Sequence, residues 1–155
     1  MENIKKYFNK DFYKTVGFYF TAASTILAFI CGIVYAVSFK REFLIEYYSS
    51  AVVILPIVSL ILTAAALAFK PTAAYAPVIG WIFSFASFLC FAGTSYMYLS
   101  GVFYNGVSAE AFALMDSAYL FVAVALLLSS ILGNVALWLR QGGEAVEETT
   151  KEAAL

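Results

Sequence analysis

Four stretches, residues 15–38, 50–69, 77–100 and 117–139, contain no Asp, Glu, Lys, Arg or His. Each is near the roughly 20 residues that cross a ~30 Å hydrocarbon core as a helix rising ~1.5 Å per residue. In a soluble fold such stretches would need covering by other protein, and this chain cannot supply the cover. Of its 155 residues 63% are apolar and only 12% charged, with a mean hydropathy of +0.87. That is more apolar surface than a soluble domain of this size can bury. The sequence predicts an all-α membrane protein, a four-transmembrane-helix bundle, with spans at about 15–38, 50–69, 77–100 and 111–139.

The first run follows Lys5, Lys6, Lys10 and Lys14, as a secretory signal would. It is longer than the roughly 7–15 apolar residues of a cleaved signal, so an uncleaved anchor is expected even though Val34-Tyr35-Ala36 has the form of a cleavage site. Basic residues near helix ends stay on the cytoplasmic side. With both termini inside, that side holds Lys5, Lys6, Lys10, Lys14, Lys70, Arg140 and Lys151, against Lys40 and Arg41 outside. This places a multi-pass protein in the cell membrane with cytoplasmic N- and C-termini. Residues 1–14 form a basic cytoplasmic or interfacial segment, in which Ile4, Phe8 and Phe12 at four-residue spacing suit either a helix on the anionic leaflet or a flexible tail. Residues 141–155 form an acidic, small-residue cytoplasmic tail expected to be disordered.

Helices in lipid associate through small and hydroxyl residues rather than through apolar ones. In the first span Gly17, Thr21, Ser24, Ala28, Cys31, Tyr35 and Ser38 follow a heptad spacing. The third span repeats the pattern 63 residues later with Gly80, Ser84, Ser87, Phe91, Thr94, Tyr98 and Gly101. Two parallel helical hairpins related by a weak internal repeat would produce this register. The second span offers Pro56, Ser59, Thr63 and Ala66, with Pro56 expected to bend it. In the fourth, Asp116, Leu120, Ala123, Leu127, Ser130 and Asn134 share one face, and Ala118, Ala125, Ser129 and Ala136 form a second small face behind it. Two small faces suit a bundle contact on one side and a partner subunit on the other.

The outer segment places charge beside these helices. Ser108 is a good N-cap with Glu110 in the following turn, so the fourth helix is expected to begin near Ala109 and to run through Asp116. Tyr96, Tyr98, Tyr104 and Tyr119 then form an interfacial aromatic belt. Lys40 and Arg41 are the outer cations, and an ion pair of Arg41 with Asp116 is expected. The four-span layout with the segments SGVFYNGVSAEAF and DSAYLF resembles small uncharacterised membrane proteins of bacteria. The resemblance implies no activity and assigns no residue a role.

Function classes narrow by chemistry. Without histidine, His-based acid–base catalysis, Ser–His and Cys–His nucleophiles and most zinc sites lack their central group. Cys31 and Cys90 are isolated, with no Cys-x-x-Cys, and read as packing residues. No carboxylate lies deep in a span, so a proton relay is not expected, and the intramembrane glutamate of the small multidrug exporters is missing. The reading is a non-catalytic membrane subunit or accessory protein without cofactor or metal. Its partners are the lipid bilayer and either a second copy of itself, as a homo-oligomer, or a larger membrane protein; nucleic acid is not among them. A small channel or carrier for a neutral or weakly polar solute, built on the same seams, is the alternative. A third use is an outer ligand-binding rim made of tyrosines with Asp116.

Overall fold

A computed structural model of the chain describes residues 12–40 and 44–139. The long helices are α1 (Val16–Ser38), α2 (Ser50–Ala68), α3 (Ala76–Val102) and α5 (Ser117–Leu137), with a short α4 (Ala109–Ala113) in the last connection; the end of the bundle that holds the α2–α3 turn is termed inner and the opposite end outer. No strand occurs among the described residues, and the four long helices are each long and apolar enough to cross a membrane. Single 3-10 turns at Ile45–Tyr47 and Ala73–Tyr75 lie in the first two connections. Charged residues 1–11 and the tail from 140 onward fall outside the described residues, as does Arg41.

The boundaries have local causes. Pro77 stands in the first turn of α3, where a missing N–H is tolerated. The inner turn between α2 and α3 is closed by Thr72, whose hydroxyl donates to the carbonyls of Ala66 (2.9 Å) and Phe69 (3.2 Å) after α2 has ended. Ser108 caps α4 by accepting from the Ala111 N–H at 3.1 Å. The expectation of one helix from near Ala109 through Asp116 is corrected here. The chain leaves helical geometry after Ala113, and Asp116, in extended backbone, is the N-cap of α5, its Oδ1 accepting from the Ala118 N–H at 2.8 Å. Aspartate offers the backbone an alternative to continuing a helix, and here that preference restarts it.

The four long helices form a ring in the order α1, α2, α3, α5, with every neighbour antiparallel. This is the up-down-up-down arrangement of a simple bundle. α1 and α5 share the most extensive contact, and α1 also touches α3 across the short diagonal, which leaves α2 and α5 as the far corners. α1 and α3 share the central position, and the composition of α1 reflects it. All seven of its seam residues, Gly17, Thr21, Ser24, Ala28, Cys31, Tyr35 and Ser38, are buried, while Ile26, Ile30, Ile33 and Val37 are exposed toward lipid.

The other seams follow less closely. On α2, Pro56, Ser59, Thr63 and Ala66 are buried as expected. On α3, Gly80, Ser84, Ser87 and Phe91 are buried, but Thr94 and Tyr98 are only half-buried and Gly101 is exposed, Ser95 taking the inward position instead. A straight helix drifts ~20° per heptad away from a strict seven-residue repeat, and over α3 that drift moves the seam sideways. On α5 the second of the two expected faces is the buried one, with Ala125, Ser129 and Ala136 inward, joined by Ser130 from the first. Leu120, Leu127 and Asn134 are exposed, and the buried face is Tyr119, Val122, Ala125, Leu126, Ser129, Ser130, Gly133 and Ala136. Because Asp116 lies outside the helix as its cap, it does not set the phase of the face below it.

Candidate functional site in the bundle interior

The interior is built in three levels. Toward the inner end, Gly80 lets α3 approach two neighbours at once. A β-carbon placed on it would stand 3.4 Å from the Thr63 Oγ1 of α2, with the Thr25 and Thr21 methyls of α1 at 3.8 and 3.9 Å. Thr21 and Thr25 direct their hydroxyl protons to their own helix, at Gly17 O and Thr21 O, so their methyls face the bundle.

At mid-depth α1 and α5 are joined by a reciprocal pair. Ser24 Oγ donates to Ser129 O at 2.8 Å and Ser129 Oγ donates to Ser24 O at 2.8 Å. Gly133 makes the approach possible, since a β-carbon there would stand 2.9 Å from Ser24 Oγ and 3.3 Å from the Trp81 Cα. On the other side, Pro56 has no N–H to give the Val52 carbonyl four residues before it. Ser87 of α3 donates to that carbonyl at 3.2 Å. Gly32 of α1 faces the same bend, a β-carbon there standing 3.6 Å from the Pro56 ring. The proline thus leaves a polar gap that a neighbouring helix fills, as hydrocarbon surroundings require.

The outer level is aromatic. Tyr35 meets Phe39, Tyr48 and Phe91 at ring-centre distances of 4.3, 5.4 and 5.9 Å. Phe91 meets Tyr119 at 5.3 Å, Tyr119 meets Tyr98 at 4.8 Å, and Tyr98 meets Tyr47 at 5.7 Å. All but the closer Tyr35–Phe39 approach fall within the roughly 4.5–7 Å range of favourable ring pairs. Two phenols also hold backbone. Tyr35 OH accepts from the Ser49 N–H at 2.7 Å and donates to Tyr47 O at 3.0 Å, and Tyr98 OH accepts from the Asp116 N–H at 2.9 Å. Ser49 and Asp116 are the N-caps of α2 and α5. Tyrosines 63 residues apart therefore perform the same task for the helix that follows each of them.

The two hairpins are not level, however. Phe91 lies against Tyr35 and Phe39 rather than beside its counterpart Ala28, and Gly80 lies against Thr21 and Thr25 rather than beside Gly17. The displacement is roughly a heptad, which preserves the face while changing the depth.

The outer belt divides. Tyr119 is 4% exposed and belongs to the ring cluster, Tyr98 is half-buried, and Tyr96 and Tyr104 are exposed. A rim of open tyrosine faces around Asp116 is therefore not the arrangement found. Asp116 is occupied as a helix cap, and Lys40 Nζ stands 6.0 Å from the centre of the Tyr48 ring. That is the reach of a weak cation–π contact. The expected Arg41–Asp116 pair lies outside the described residues. Cys31 is buried and Cys90 half-buried, both as free thiols. Of the remaining seam residues, Ser130 bonds back to Leu126 O at 2.9 Å, and Asn134 faces outward near the inner end of α5.

Sequence reasoning missed Gly133 and Phe39, and it named Ser129 only as one member of the second small face of the fourth span. Comparison of the chain with protein-family models, with curated proteins and with solved structures found no match.

Proposed function

We propose that the protein is a non-catalytic multi-pass subunit of the cell membrane, with both termini cytoplasmic, that packs with itself or with a larger membrane partner. The observation that carries this reading is the use of the interior polar groups. Ser24, Ser129 and Ser87 are consumed in helix-to-helix hydrogen bonds, and the outer level is filled by rings. Contact surface for a partner is available outside the hydrocarbon, where Tyr104, Val107 and Leu114 of the last outer connection are more than three-quarters exposed. Isolation from its native membrane in mild detergent tests the reading. A fixed heteromeric partner or a stable homo-oligomer is expected, and a monomer that binds neither itself nor another membrane protein would reject it.

One observation favours the second reading, a small channel or carrier for a neutral solute. Ser59, Thr63, Ser84 and Ser95 are buried hydroxyls with no partner among the described residues, which is how the wall of a polar passage would be lined. Solute flux in vesicles containing the purified protein, abolished by Ser84→Leu, would transfer preference to that reading.

A further inference from the structure

Most buried hydroxyls of the bundle have an acceptor. Thr21, Thr25 and Ser130 bond to their own helices, and Ser24, Ser129 and Ser87 bond across to neighbours. Four have no partner among the described residues: Ser59, Thr63, Ser84 and, three turns further along α3 from Ser84, Ser95. The first three form a group. Ser59 and Ser84 are fully buried and Thr63 is 2% exposed, yet no group among the described residues donates to or accepts from any of them.

These three hydroxyls share one place. One contact sets the local register of antiparallel α2 and α3: a β-carbon on Gly80 would stand 3.4 Å from the Thr63 Oγ1. From that contact, Ser59 is one turn outward from Thr63 on α2 and Ser84 is one turn outward from Gly80 on α3. The two serines are therefore level, with Thr63 one turn below. Helical serines and threonines commonly satisfy themselves at the carbonyl four residues back. These stand off their own backbones, in surroundings where an unmade hydrogen bond is most costly.

The walls decide what fits. The site is small, since a β-carbon on Gly80 would already stand within 4 Å of the Thr63, Thr25 and Thr21 side chains. It is also uncharged, since no acidic or basic residue lies within α2 or α3, so an ion would have no counter-charge. Each hydroxyl both donates and accepts, which matches a molecule with two of each function. Buried waters typically make about three hydrogen bonds to groups that lack other partners. We propose that Ser59, Thr63 and Ser84 form a buried binding site for a single water molecule that ties α2 to α3 at mid-span.

Two measurements on the full chain in detergent test this. In the wild-type protein, NMR magnetisation transfer from water is expected to reach Ser59, Thr63 and Ser84. In thermal unfolding, Ser59→Ala, Thr63→Val and Ser84→Ala are each expected to lower the midpoint by about 2–4 °C. The triple variant should lose less than the sum, because the water departs with its partners. Strictly additive shifts, coupling confined to Ser59 and Ser84 as in a direct hydroxyl pair, or no water signal in the wild type would each overturn the proposal. The wild-type measurement decides if the variants do not fold.

Discussion

At the scale of single residues, Pro56 and Ser87 act as one unit. Proline removes the donor that Val52 O would otherwise receive, and the Ser87 hydroxyl replaces it from the adjacent helix. Ser87→Ala should therefore cost about 1–3 kcal/mol, the penalty for stranding a buried acceptor. In a Pro56→Ala background, where an N–H returns to Val52 O, most of that cost should vanish. A double-mutant cycle read by thermal unfolding measures it, and equal costs in both backgrounds would separate the two residues. The helical glycines make a second contrast. Gly133→Ala forces a β-carbon to 2.9 Å from Ser24 Oγ and 3.3 Å from the Trp81 backbone. Overpacking of that kind costs about 1–3 kcal/mol. Gly93→Ala meets nothing within 4 Å and should leave stability unchanged or slightly raised.

At the scale of elements, the restart of the chain at Asp116 is the feature to test. Asp116→Ala removes a cap and should cost about 0.5–2 kcal/mol, whereas Asp116→Asn retains an acceptor and should be close to neutral. If an ion pair with Arg41 dominated instead, asparagine would fail as badly as alanine, and unfolding of both variants distinguishes the outcomes. How far each helix could be read from sequence does not follow from the number of its neighbours, since α1 and α3 each touch all three other long helices. On α1, small residues along the whole length record a face that is covered throughout. On α5 the sequence offered two faces without choosing between them, because its most polar residue, Asp116, is a terminus rather than a face marker. The seam of α3 was legible in its inner half, where Gly80 and Ser84 face α1 and α2, and was lost beyond Phe91 through helical drift. The reciprocal serines and the proline gap were out of reach, because each depends on which neighbour stands opposite.

At the scale of the whole molecule, orientation is open to direct measurement. With both Cys31 and Cys90 replaced by alanine, a cysteine at Asn105 should react with an impermeant thiol reagent on intact cells, and one at Glu148 should not. The reverse pattern would invert the topology and the inside-outside assignment of every loop. The ring order carries a consequence for biogenesis. The helix that enters the membrane first has its largest contact with the one that enters last, and the serines joining them are 105 residues apart. At a synthesis rate of about 5–20 residues per second, α1 waits roughly 5–20 s for that partner. During the wait Ser24 needs another acceptor, which the carbonyl four residues back in its own helix can supply. A ribosome that stalls before Ser129 leaves behind a protein whose central helix is inserted but unclasped, a natural substrate for membrane proteolysis.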